Sequence, residues 1–303
     1  MILGTRQRRA PYSELKIQLF IQLLIDFMEN TLYIELLKKV LVDFHRMELG
    51  EYKPLYDNEG GWRSKTLHSF DKLLRKRNYA ICQHLEYNPE SRLEGKDWPP
   101  YADTMIGLKR LENIEFCFRE VIKDNIPGDF IETGVWRGGA TIFMKALLKA
   151  ADISERAVWV ADSFEGLPEP DEKKYSADKG DKLYTMKELA ISIDVVKANF
   201  QKYGLLDENV KFLKGWFKDT LPAAPIEKLS IMRLDGDMYE STMDGLKNLY
   251  PKLSPGGFII IDDWGVIKGC KQAVLDYRQD HGITEAIKEI DWSGIYWRKE
   301  KER

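Results

Sequence analysis

GDFIETGVWRGGATIF, residues 128–143, joins an apolar run ending in an acid to three glycines and a second apolar run of helical length. Residues 129–135 read as a strand and 139–151 as a helix, with Gly134, Gly138 and Gly139 in the turn between them. Glycines there let a backbone approach a ligand closely and take up positive φ. By itself the turn fits a bare strand–helix connection as well as a nucleotide cradle. The spacing is Gly134-x-x-x-Gly138-Gly139, so the G-x-G-x-x-G fingerprint of dinucleotide sites is not met. Glu132, just before the first glycine, would repel a pyrophosphate and accept hydrogen bonds from an amino group. The stretch therefore points to a nucleoside with a cationic tail rather than to NAD.

Further along, strand-like and helix-like runs alternate. Strands are expected at 129–135, 157–164, 209–215, 229–237 and 256–263, with helices at 104–124, 139–151, 186–203 and 240–253. Near-continuous apolar strands separated by helices predict an α/β fold with a doubly wound, mostly parallel sheet covered on both faces. The C-terminal EAIKEIDWSGIYWRK reads as two short strands joined at the WSG turn, adding an antiparallel edge. In such a sheet ligands bind beyond the carboxyl ends of the strands, and those ends carry the chemistry. Asp162 ends the second strand, where an acid can hold both hydroxyls of a ribose. Trp216 and Phe217 follow the third and offer either an adenine platform or plain core. RLDGD supplies Asp235 and Asp237, and IIIDDWG supplies Asp262 and Asp263. Acids gathered at one sheet end repel each other unless protons or a cation compensate, and such oxygen donors suit Mg²⁺, Mn²⁺ or Ca²⁺ better than zinc. The four histidines, His45, His68, His84 and His281, sit on no expected strand end.

The remaining composition bounds the partners. The chain has 303 residues, 46 Lys and Arg against 49 Asp and Glu, and a net charge of −3, which gives no electrostatic case for nucleic acid. Three separated cysteines make neither a disulfide framework nor a CxxC metal site, so a reducing, cytoplasmic setting is expected. Arg6, Arg8 and Arg9 precede the apolar IQLFIQLLI at 17–25, but the run is too short for a span and no cleavage site follows. Residues 11–48 are expected to form one or two amphipathic helices that pack on the domain or on a second subunit rather than on a membrane. Another helix is expected near 65–85, then an extended connector over 86–102, because Pro99 and Pro100 exclude helix interior geometry. The division expected is an N-terminal helical extension, 1–94, and a catalytic domain, 95–303, in at least a dimer. The charged, Gly-containing stretch 171–184 is expected to be a lid.

The segments DTMIGLKRLENI, GDFIETGVWRGGATIFMKA, VADSFEGLPEP, VKANFQKYGLLDENVKFLKGWFKDTLP, LDGDMYEST and LYPKLSPGGFIIIDDWG resemble the Rossmann-like class I S-adenosylmethionine-dependent methyltransferases. More closely, they resemble the macrocin O-methyltransferase (TylF-type) family, which modifies sugars of macrolide and related natural products. The likeness spans about residues 95–298 and leaves the first ~90 residues unmatched. It implies S-adenosylmethionine as cofactor and a sugar or glycosylated natural product as hydroxyl acceptor, in antibiotic biosynthesis. A non-sugar polyketide or peptide acceptor is the alternative; an NAD-dependent oxidoreductase and a silent cofactor-binding scaffold are weaker ones. It further implies that Glu132, Thr133 and Gly134 line the methionine end, with Thr104 and Met105 folded over it. Asp162 with Ser163 would hold the ribose, and Trp216 and Phe217 would flank the adenine. Asp235, Asp262 and Asp263 would bind a divalent metal such as Mg²⁺. Asp235 would also border the cofactor and act as general base, with Asp237 or a metal-bound water as rivals.

Overall fold

Apolar strands that each feed an amphipathic helix can bury both faces of a sheet, and the chain does so. The computed structural model describes residues 30–45, 51–54, 62–85 and 88–300. It opens with α1 (30–41), β1 (Glu51–Pro54), α2 (Trp62–Arg75), β2 (Cys82–Leu85), α3 (Pro89–Glu94) and α4 (Leu108–Lys123). The alternating part follows: β3 (Asp129–Thr133), α5 (Gly139–Ala150), β4 (Val158–Asp162), α6 (Ile193–Lys202), β5 (Val210–Lys214), α7 (Phe217–Thr220), β6 (Leu229–Leu234), α8 (Tyr239–Leu249), β7 (Leu253–Ile261), α9 (Lys268–Asp280), β8 (Lys288–Glu289) and β9 (Ile295–Arg298).

Among the described residues seven strands form one sheet in the order β5-β4-β3-β6-β7-β9-β8. Strands β3 to β7 run parallel, and β9 pairs antiparallel with both β7 and β8. The expected α/β class and its antiparallel edge are therefore observed. Successive residues along each strand enter opposite cores: Phe130, Val158 and Val160 on one face, Ile131, Trp159 and Ala161 on the other. The first core is closed by α4, α5 and α6, the second by α8 and α9. Strand order reverses between β3 and β6, which opens a crevice above their carboxyl ends.

Several N-terminal expectations change. Of the one or two helices expected over 11–48, residues 11–29 and 46–48 lie outside the described residues. In the described part, Ile34, Leu37, Leu41 and Val42 join the same core as α4 and α5, and Lys38 bonds Glu115 at 3.0 Å. The helix expected near 65–85 ends at Arg75, and Cys82–Leu85 pairs with Glu51–Pro54 as a small hairpin. The connector expected over 86–102 contains α3, started by Asn88, whose side chain accepts from Ser91 N, and by Pro89 at the first position. The helix expected over 186–203 begins at Ile193, where Ser192 caps it. Among the described residues no helix is long and apolar enough to cross a membrane.

Candidate active site

Two adjoining clefts lie above the switch point. The first is lined by Gly134, Asp162, Ser163, Trp216, Phe217 and Asp235, and the second by Thr104, Glu132, Asp237, Asp262, Asp263 and Trp292. Met105 and Trp136 border both. Of the expected cofactor residues only Thr133 faces neither: it is buried in β3 between Ala161 and Leu234.

Gly134 explains the spacing that sequence left odd. Its φ is +81°, and a Cβ there would stand 1.8 Å from the Asp235 carbonyl oxygen. Only glycine lets the end of β3 approach the acid loop after β6 this closely. Asp162 fixes the same loop from the other side: its Oδ2 accepts from Val135 N at 2.8 Å and its Oδ1 from Phe164 N at 2.7 Å. Ser163 Oγ adds a longer bond to Oδ1 at 3.4 Å, so most of the roughly four acceptor positions of the carboxylate are already taken within the loop. Burial pushes the Asp162 carboxyl up despite those backbone bonds.

The acids sort into two groups. Asp262 is almost fully buried and ion-paired, with Arg110 Nη1 at 2.5 Å from its Oδ2 and Arg233 donating to its Oδ1. Arg110 also holds Asp291 at 2.8 Å. Burial opposes the charge on Asp262, but the two guanidinium groups outweigh it and hold the carboxyl below the usual carboxylate range. Arg233 further pairs with Glu132 and with Asp235 Oδ2, the latter at 2.8 Å. Asp235, Asp237 and Asp263 form the second group, each offering an oxygen within 4.8 Å of the others. Asp263 Oδ2 accepts from Asp237 N at 3.0 Å. Burial and mutual repulsion push Asp237 and Asp263 well above the usual range, and Asp235 up to about 6. The structure thus converges Asp237 with Asp235 and Asp263, whereas sequence had grouped Asp262 with them. The reason is that Asp262 lies between two buried guanidinium groups, Arg110 and Arg233, whereas Asp235 meets Arg233 alone.

Glu132 is buried, and burial raises its carboxyl to about 8 although Arg233 opposes the shift. Its Oε2 finds no hydrogen-bond partner. An orphaned buried acceptor beside a glycine cradle fits the amino group of a cationic tail. The outer rim of the second cleft is aromatic. Trp98 and Trp292 are 50% and 41% exposed, and the Trp292 indole is fixed by its Nε1 donating to Glu94 O at 2.8 Å.

Against this geometry, the sequence model of the Macrocin-O-methyltransferase (TylF) family matches residues 30–299. The chain belongs to the macrocin O-methyltransferase family. It is an S-adenosylmethionine-dependent O-methyltransferase. The match begins at residue 30, so the family likeness reaches into the region sequence reading had left unmatched, ahead of the boundary expected at 94/95. Among its relatives, the chain is 54% identical over 214 residues to the 8-demethyl-8-(2,3-dimethoxy-alpha-L-rhamnosyl)-tetracenomycin-C 4'-O-methyltransferase of Streptomyces olivaceus, covering 70% of this chain and 82% of that one. It is 53% identical to the demethyldecarbamoylnovobiocin O-methyltransferase of Streptomyces niveus, again over 70% and 82% of the two chains. The solved structure of the O-methyltransferase NovP superposes with a TM-score of 0.75 at 44% identity, over 90% of this chain and 100% of that one. The calicheamicin methyltransferase CalS11, at 17% identity and a TM-score of 0.51 over 82% and 98%, shares the fold.

Residues that sequence reading missed include Arg110, Arg233, Trp136, Trp98 and Trp292. Arg233 had a signal, a lone charge inside the apolar strand run LSIMRL. Trp292 had none, because only the fold brings the C-terminal hairpin to the cleft.

Proposed function

We propose that the first cleft holds S-adenosylmethionine and that the second receives a sugar hydroxyl of a glycosylated natural product, to which the methyl passes. The observation that carries this reading is the meeting of the two clefts at Asp235 and Asp237, with Asp263 in reach of both acids and the orphaned Glu132 oxygen in the second cleft. The methionine amino group would bond Glu132 Oε2, the ribose Asp162, and the adenine would lie near Trp216 and Phe217. A pyranose ring has an apolar face that suits the exposed indoles of Trp98 and Trp292. One relative is named for methylating a rhamnosyl-bearing tetracenomycin at a 4'-oxygen, which supports a sugar acceptor. A dimer or higher homo-oligomer and a cytoplasmic setting belong to the same proposal.

Hard oxygen donors in mutual reach fit a divalent cation such as Mg²⁺. Asp235 and Asp263 would hold it, leaving the nearby Asp237 carboxylate off the cation. Bound there, the cation would offset the carboxylate repulsion and favour the ionised acceptor oxygen. The proton is assigned to Asp237. Asp235 is already paired with the Arg233 guanidinium, which weakens it as a base, whereas Asp237 bonds no guanidinium and borders both clefts. S-adenosylmethionine held in the first cleft would supply the methyl group, its C–S bond breaking to leave the neutral thioether S-adenosylhomocysteine, and the cleft walls would orient the acceptor oxygen towards that methyl.

Isothermal titration tests the first cleft. S-adenosylhomocysteine is expected to bind at one site per chain and NAD⁺ not to bind; tighter NAD⁺ binding contradicts the reading.

A further inference from the structure

Between β4 and α6 the chain runs across both clefts as a strap, residues 171–190, placing Leu183 on the second cleft and Leu189 on both. Three short 3₁₀ turns, at Ser176–Asp178, Leu183–Thr185 and Lys187–Leu189, are its regular structure. Within the strap one residue is buried, and it is charged: Asp178, 4% exposed. Its Oδ1 accepts from Tyr239 N at 2.6 Å and its Oδ2 from Glu240 N at 3.1 Å. Those are the first two amides of α8, whose own N-cap residue, Met238, makes no side-chain cap hydrogen bond. A carboxylate from elsewhere in the chain therefore does the capping, at the helix end that favours negative charge. The fit is close. A Cβ on Gly269 of α9 would stand 2.5 Å from Asp178 Oδ1, and the Tyr175 ring meets the Tyr239 ring with centroids 5.6 Å apart. At its far end the strap is tied again, where Trp136 Nε1 donates to Glu188 O at 2.9 Å.

We infer that Asp178 is a positioning residue, capping α8 from outside and thereby fastening the strap over bound cofactor. The fastened helix directly follows Asp235 and Asp237 and lines the first cleft through Glu240, Ser241 and Asp244. Release of this one carboxylate thus loosens the near end of the strap and the helix start beside the acids, leaving the tie at Glu188 in place. The inference rests on the methyltransferase reading only for the identity of the ligand.

The test uses S-adenosylhomocysteine as probe and the full chain. Asp178→Ala is expected to speed its dissociation about tenfold, the effect of losing charge-assisted hydrogen bonds, and to raise hydrogen exchange at the Tyr239 and Glu240 amides. Asp178→Asn, which keeps one acceptor, is expected to fall between, with the unfolding midpoint of the ligand-free protein near wild type. Gly269→Ala keeps the carboxylate but displaces it, and is expected to speed dissociation as well. Wild-type dissociation in both Asp178→Ala and Gly269→Ala overturns the inference. Should the wild-type protein bind no S-adenosylhomocysteine, the methyltransferase reading fails instead, and unchanged amide exchange in Asp178→Ala then overturns the cap separately.

Discussion

Asp262 and Asp263 are neighbours in sequence with opposite electrostatics. Asp262 rests between two guanidinium groups, and Asp263 faces two other carboxylates. Removing the charge of Asp262 leaves Arg110 and Arg233 short of a buried partner, so Asp262→Asn is expected to cost about 3 kcal/mol in urea unfolding. Asp263→Asn relieves repulsion and is expected to leave the metal-free protein as stable as wild type or more so. The same charges set a pH dependence. Glu132, Asp235, Asp237 and Asp263 all have carboxyls raised on folding, two of them to about 8 and about 6. The folded state then binds more protons than the unfolded one above the ordinary carboxylate range, so stability falls as pH rises through the raised values. Asp262 has the opposite sign, and its stabilising share is lost only as pH falls through its lowered value. Urea titrations with EDTA at about pH 5.5 and about pH 8.5 are expected to show the weaker fold at the higher pH. Asp263→Asn is expected to flatten that decline, and added Mg²⁺ to reverse it in the wild type. A decline untouched by either contradicts the account of the acid cluster.

At the scale of elements, the five parallel strands were legible because their runs are largely apolar, and each was placed within a few residues. The acids were legible as a set because strand ends in a parallel sheet share one edge. Their pairing was not, since Arg110 reaches Asp262 from a helix 152 positions away in sequence. Likewise α3 hid in a proline-bearing connector, and the hairpin of β1 and β2 hid behind an apparent helix. The aromatic rim depends on the C-terminal hairpin, which carries Trp292 next to Asp291 and Ser293. Ser293 Oγ donates to Asp262 O at 2.5 Å, tying the rim to the acid strand. Trp292→Ala is expected to raise the KM for a glycoside acceptor about tenfold, the worth of a stacked aromatic contact, and to leave S-adenosylhomocysteine affinity unchanged in the same preparation. Equal loss of both would make Trp292 a structural residue instead.

Taken whole, the molecule sets two adjoining clefts and an acid cluster above one sheet and closes their junction from three directions. The strap comes from between β4 and α6, the segment 95–98 that follows α3 reaches in from the N-terminal side, and the hairpin comes from the C-terminus. Arg92 of α3 shows why the N-terminal region belongs to this enclosure: it is fully buried, and its Nη2 donates to Met105 O and to Ile106 O, the latter at 3.0 Å. Methyl transfer from labelled S-adenosylmethionine, offered a rhamnosylated polyketide and its aglycone side by side, tests the assembled reading most directly. The account predicts label on a sugar oxygen of the glycoside alone, and none with Asp237→Asn although that variant still binds S-adenosylhomocysteine. Label on the aglycone, or undiminished transfer by Asp237→Asn, would contradict it.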